Sequence, residues 1–252
     1  MSDRFLQGHR VVGVGAGYAG WAASYDDPGN DTIALEQPAV RALLDELPPG
    51  PVLDAACGTG RHTAYLLAAG REVVGIDASE AMLARARAKL PGADLRHGEL
   101  AALPFDDGAF AGAVCALALS HLADIAPAIA ELGRILRPGG RLVISDPHPF
   151  ATGVLGRRAG FTDETGARVV IPVYPHLHGA YVAAFAAAGL VARRLIEPVL
   201  SREQARTRPR LRTRRRLRAG AHRRAGRDRV GGRAPLTLLR APLMNRRRAS
   251  SR

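Results

Sequence analysis

The residues most able to do chemistry together are Asp54, Gly58, Gly60 and Asp77, in the segments VLDAACGTGRH (52–62) and VVGID (73–77). A short apolar run ends at Asp54. Gly58 and Gly60 let the chain turn tightly and come close to a ligand with no side chain between. A helix beginning just after them would point its N-terminus at a negative or electron-rich group. Asp77 closes the next apolar run, nineteen residues after Gly58, where a carboxylate can accept both hydroxyls of a ribose. A dinucleotide site wants a third glycine to cradle its pyrophosphate. Here Gly58-Thr59-Gly60-Arg61-His62-Thr63 has none, and Asp54 would repel a pyrophosphate. The charge suits a nucleoside cofactor bearing an ammonium, such as the methionine end of S-adenosylmethionine, and disfavours a nicotinamide oxidoreductase. The plainer reading is that the glycines only end a strand and Asp77 only caps a helix.

The elements that must hold these residues alternate in type. PVLDAA (51–56), REVVGID (71–77), ADLRHG (93–98), FAGAVCAL (110–117), RLVISD (141–146) and LVARRLIEP (190–198) read as strands. Helices are expected from Pro38 to Leu47, from Thr59 to Ala69, from a Ser79 cap to Leu90, over Ile125–Leu136 and over Gly179–Ala188. Pro38 suits a first helical turn, and Pro48-Pro49-Gly50 stops that helix. Strands alternating with helices imply an α/β fold, a mostly parallel sheet covered on both faces. Apolar runs such as VVGI and LVIS suit strands buried on both sides. Residues 147–175 read as an irregular loop. Gly15, Gly17 and Gly20 match a dinucleotide fingerprint formally, but Trp21 to Asn30 runs into turn chemistry, so residues 1–37 are expected to be a flexible segment rather than a cofactor loop.

Four blocks in order resemble class I S-adenosylmethionine-dependent methyltransferases of the small-molecule type: VLDAACGTG, GIDAS (75–79), GELAALPFDDGAF (98–110) and LGRILRPGGRLVISD (132–146). The resemblance covers about residues 18–200. It implies a Rossmann-like, doubly wound sheet of six to seven strands with helices on both faces, in a domain of residues 38–200. It also implies S-adenosyl-L-methionine as cofactor. Asp54, Ala56, Gly58 and Gly60 would line its methionine end and Asp77 its ribose. Ala78 and Met82 would lie beside the adenine, Glu99 near the adenine amine with Leu100 on the ring, and Ala116 would border the sulfonium. Glu99 stands where the family usually has Asp, and Ala111 where Asp commonly follows Phe. Tyr18, Trp21 and Tyr25, with Asp26, resemble a segment that forms a lid over the cofactor in relatives. His121 is a weak candidate for a general base. No other catalytic residue and no metal ligand set is expected.

Charge divides the chain. The whole carries a formal +13, yet residues 201–252 hold nineteen arginines against Glu203 and Asp228, which leaves the first 200 residues mildly acidic. The tail is expected to be disordered. Its Arg, Ala, Gly and Pro composition, with one lysine in the whole chain, is what an out-of-frame reading of GC-rich coding DNA yields. In it LTLL (236–239) is the one segment able to form a strand, and a poor one between Pro235 and Pro242. A basic arm for nucleic acid is the competing reading. It is the only route to nucleic acid, and an RNA-associated methyltransferase or nucleic-acid-binding protein is the alternative to a small-molecule enzyme. The tail offers no aromatic residue for base stacking. Two cysteines, Cys57 and Cys115, make neither a disulfide framework nor a metal cluster. No apolar run approaches the roughly 20 residues a bilayer needs, so a cytoplasmic location with no membrane partner is expected.

Overall fold

The computed structural model describes residues 9–27, 30–198 and 236–240. Its elements in chain order are β1 (Arg10–Val11), α1 (Val14–Trp21), α2 (Asp31–Leu44), β2 (Val52–Ala55), α3 (Arg61–Ala68), β3 (Val73–Asp77), α4 (Glu80–Lys89) and β4 (Asp94–His97). They continue with β5 (Phe110–Ala116), α5 (Ala126–Arg134), β6 (Leu136–Ser145), β7 (Ala159–Thr162), β8 (Arg168–Ile171), α6 (His178–Ala187), β9 (Val191–Ile196) and β10 (Leu236–Arg240).

Seven strands form one sheet in the order β4-β3-β2-β5-β6-β10-β9. The five from β4 to β6 are parallel, and β10 is antiparallel to both β6 and β9. The sheet reverses its winding between β2 and β5, the place where α/β sheets open a crevice at their strand ends. Period-two alternation sorts the strand residues onto two covered faces. Leu53, Ala113, Cys115, Leu142 and Ile144 join α5 and α6 residues such as Ile129, Leu132 and Phe185 in one core. Val52, Val114 and Val143 join Val40, Leu44 and Leu66 of α2 and α3 in the other. Asp54 shares the parity of Val52 and so lies under α3.

Several sequence expectations are corrected. The first long helix starts seven residues before Pro38, because the Asn30 side chain accepts the Ile33 N–H and Asp31 favours the helix N-terminus. Pro38 therefore sits inside α2. The expected flexible N-terminal segment contains α1, in spite of its three glycines. Gly17 explains why: a Cβ there would lie 2.6 Å from Ile171 of β8, so glycine permits a close approach that offsets its poor helix propensity. The expected loop 147–175 holds the β7–β8 hairpin, and β1 pairs with β8 to complete a separate three-stranded sheet, β1-β8-β7. Leu236–Arg240 is a strand in the interior of the large sheet. Its five residues pair with β6 and β9. The rest of the arginine-rich tail lies outside the described residues, as do the frame-shift and nucleic-acid readings placed on it.

Candidate active site

The site is built where β2, β3, β5 and β6 end. After β2 the chain turns through Ala56, Gly58 and Gly60, all at positive φ (57°, 55° and 80°). After β5, Leu117 is also at positive φ, 58°, with its N–H on the Ser145 carbonyl at 2.7 Å. Among the described residues Ala56 and Leu117 are the non-glycine positions in this region. They cap adjacent strands, and strain of this kind collects at functional sites.

Asp77 ties the parts together. Its Oδ2 accepts the Gly58 N–H at 2.7 Å and its Oδ1 accepts the Ser79 N–H at 2.8 Å. One carboxylate thus fixes the glycine turn and the start of α4. Burial raises its pKa, and these two bonds oppose the rise. Asp54 is fully buried and accepts both the N–H and the hydroxyl of Thr63, each at 2.7 Å. It holds the first turn of α3 rather than presenting a free carboxylate. Burial raises its pKa against the pull of His62 and Thr63. Ala78 and Glu99 are exposed beside the turn, Leu100 packs on the core edge, and Ala116 pairs with Ser145. Met82 is 1% exposed, so its side chain fills the core under α4. Cys57 and Cys115 are buried thiols, pushed up by desolvation.

A cap covers this edge. Tyr18, Trp21 and Tyr25 form one aromatic cluster, and Trp21 stacks on Phe161 of β7 with centroids 6.0 Å apart. Asp26 latches the segment down: it accepts from the Thr59 hydroxyl in the glycine turn and from Lys89 on α4, both at 2.7 Å. Arg85 of α4 donates to the Ala23 carbonyl. Burial pushes the Tyr25 phenol up to about 12 and raises Tyr18 further.

Tyr18 reaches the other candidate. Its hydroxyl lies 2.7 Å from His121 Nε2, and His121 Nδ1 lies 2.8 Å from the Pro172 carbonyl. A carbonyl only accepts, so Nδ1 carries the proton and Nε2 accepts the Tyr18 O–H. Burial lowers the His121 pKa, which keeps the ring neutral at physiological pH.

Two groups escaped sequence reasoning. Asp146 follows β6; Tyr181 donates to its Oδ2, while its buried Oδ1 has no hydrogen-bond partner. Burial pushes Asp146 up to about 7, opposed by Tyr181 and Ser120. The adjacent Pro147-His148-Pro149 was the available signal. Glu36 of α2, 1% exposed, accepts from Arg61, His62 and Ser145. This network binds α2 to the start of α3 and the end of β6. Nothing in the local sequence links residues so far apart.

Residues 53–144 match the family model described as a methyltransferase domain. Residues 53–144 thus carry a methyltransferase domain similar to those of S-adenosylmethionine-dependent enzymes. Over 120 residues it is 42% identical to a demethylmenaquinone methyltransferase of Thermus thermophilus, covering 45% of this chain and 54% of that protein. Over 145 residues it is 34% identical to a demethylmenaquinone methyltransferase of Streptomyces griseus, covering 56% and 61%. The chain thus spans less than two thirds of these curated relatives. An S-adenosylmethionine-dependent methyltransferase from Mesorhizobium loti shares the architecture at a TM-score of 0.61 and 25% identity, over 82% of this chain and 97% of that one. The four-block resemblance agrees with these likenesses.

Proposed function

We propose that the chain moves a methyl group from S-adenosylmethionine to a small-molecule acceptor carrying a weakly acidic O–H. The observation that carries the reading is Asp77 on Gly58 at 2.7 Å: a carboxylate suited to a ribose stands beside an open glycine turn. A Cβ built at Gly58 would meet nothing within 4 Å, so there is room above the loop for a cofactor.

When bound, S-adenosylmethionine supplies an activated methyl on a sulfonium. The chain's own residues do the rest. Asp77 and the backbone of Gly58 and Gly60 would hold it, with Ala78, Glu99 and Leu100 beside its base. Asp54 acts at one remove by fixing α3 through Thr63. The cap, latched by Asp26, excludes water and restricts the acceptor's approach, and such positioning alone can lower a barrier by up to about 7–11 kcal/mol. Tyr18 and His121 provide a path for a proton: the acceptor's proton passes to the Tyr18 oxygen as the phenol O–H moves to Nε2. The lowered pKa of His121 leaves it free to accept, as a base needs. The relatives named demethylmenaquinone methyltransferases support a small-molecule acceptor.

The test is transfer of labelled methyl from S-adenosylmethionine into fractionated bacterial extract by the purified full chain. Label in the small-molecule fraction, lost in a His121→Ala variant, supports the reading. Label confined to nucleic acid, or none, contradicts it.

A further inference from the structure

Three side chains outside the cofactor turn converge at the same edge of the sheet. His148 follows β6, His178 opens α6, and Glu197 follows β9. Because β6 and β9 both run antiparallel to β10, they are parallel to each other and end on one side. The helix between them must start on that side. One ligand atom from each of the three lies within 4.8 Å of the others. We propose that His148, His178 and Glu197 bind one divalent transition-metal ion of the zinc class at the acceptor edge of the domain.

The donor chemistry fits. Two imidazoles and a carboxylate suit zinc and its first-row neighbours, and they leave a position for water or substrate oxygen. The backbone is prepared at the first ligand: His148 stands between Pro147 and Pro149, which restrict its conformations on both sides. His148 and His178 already face each other with ring centroids 5.1 Å apart. Zinc–nitrogen bonds are about 2.0–2.1 Å, so the donors must draw in, which two half-buried rings and an exposed glutamate can do by side-chain rotation.

A second observation points to a ligand here. Asp146, His148, His178 and Tyr181 line a shallow pocket at this edge, and the buried Oδ1 of Asp146 has no hydrogen-bond partner of good geometry, with Ser120 as its polar neighbour. A water on the metal would donate to that oxygen, in the way outer carboxylates orient metal-bound groups. One local bond must be exchanged. His148 Nδ1 accepts the Phe150 N–H at 3.1 Å; ligation through Nε2 puts a proton on Nδ1 and releases that exposed amide. Metal binding therefore also loosens the turn at Phe150–Val154. The expectation of no metal rested on two cysteines and on local spacing, which cannot reveal ligands brought together from residues 148, 178 and 197.

The experiment uses the full chain after chelator treatment and dialysis. Zn²⁺ alone is titrated by calorimetry, and Co²⁺ is followed by visible absorption. The site predicts one equivalent bound, with the intense visible band of low-coordinate cobalt. His148→Ala and His178→Ala should each weaken binding at least tenfold, and Glu197→Gln severalfold. These side chains are half-buried or exposed, and circular dichroism checks the fold. S-adenosylhomocysteine affinity on the same samples should not change, so a failure of the cofactor reading is seen separately. Wild-type affinity in both histidine variants, or only the weak spectrum of aqueous cobalt, overturns the proposal.

Discussion

The Tyr18 hydroxyl and His121 Nε2, 103 residues apart in sequence, meet at 2.7 Å where the cap closes over the strand ends. This contact joins the segment that covers the site to the residue placed to take a proton. His121→Ala should lower kcat by about 10²–10⁴-fold if the ring is the base, with S-adenosylhomocysteine affinity nearly unchanged. Tyr18→Phe removes one hydrogen bond, worth about 0.5–1.5 kcal/mol, and interrupts the path while keeping the aromatic packing. Steady-state kinetics paired with calorimetry separates the two. Full turnover in both variants removes the pair from the mechanism.

The pH dependence follows from His121. Burial holds its pKa below 6.5 in the folded chain. Activity should rest on the neutral ring, so the acid limb of the kcat/KM profile lies below the usual histidine range and disappears in His121→Ala. The stability effect has a definite sign. The unfolded chain takes up the proton near pH 6.5, before the folded chain does. Stability contributed at this residue is therefore lost as pH falls from about 6.5 to the folded value. Urea unfolding of wild type and His121→Gln across that window measures the difference.

Asp77 holds two backbone N–H groups, and on the proposed function it also holds the cofactor's ribose, so its variants should show both effects. In Asp77→Ala the Gly58 and Ser79 N–H groups lose their acceptor, so stability should fall by about 1–3 kcal/mol. S-adenosylhomocysteine affinity should fall at least roughly 10- to 100-fold, because a carboxylate hydrogen bond contributes about 1.5–3 kcal/mol. Asp77→Asn keeps one acceptor oxygen and should recover part of the stability but little of the affinity. Denaturant titration and calorimetry report the two quantities independently.

How much of this was legible beforehand depends on the range of the signal. The cofactor turn is written in eleven consecutive residues, because a strand, two glycines and a helix start are local requirements. The alternation of strands and helices is equally local. The cap was half legible: the spacing of Tyr18, Trp21 and Tyr25 marked it, but α1 contradicts glycine propensity and forms because β8 packs against Gly17. The prolines near LTLL argue against a strand in the sequence, and the pairing of Leu236–Arg240 with β6 and β9 is a long-range contact that no local pattern shows. The charge of Asp54 points to a cofactor contact, and nothing in the sequence shows that its carboxylate also holds Thr63 at the start of α3. Glu36 and Asp146 depend on contacts across many elements, which a local pattern cannot show.

The latch at Asp26 carries a prediction of its own. Asp26→Ala removes the bonds to Thr59 and Lys89. Lys89 is exposed, but the Thr59 hydroxyl is buried and loses its acceptor, so global stability should fall by no more than about 1–3 kcal/mol. The cap should nevertheless open more often, raising the dissociation rate of S-adenosylhomocysteine. Stopped-flow measurement of that rate checks it; an unchanged rate means the aromatic cluster alone holds the cap.

The central claim is that the turn after β2 and the acid after β3 hold S-adenosylmethionine. Isothermal calorimetry of the full chain against S-adenosylhomocysteine and, separately, against NAD tests it directly. One equivalent of S-adenosylhomocysteine should bind, more weakly in Asp77→Ala, with no heat from NAD. Tight NAD binding, or no S-adenosylhomocysteine binding by a folded chain, would contradict it.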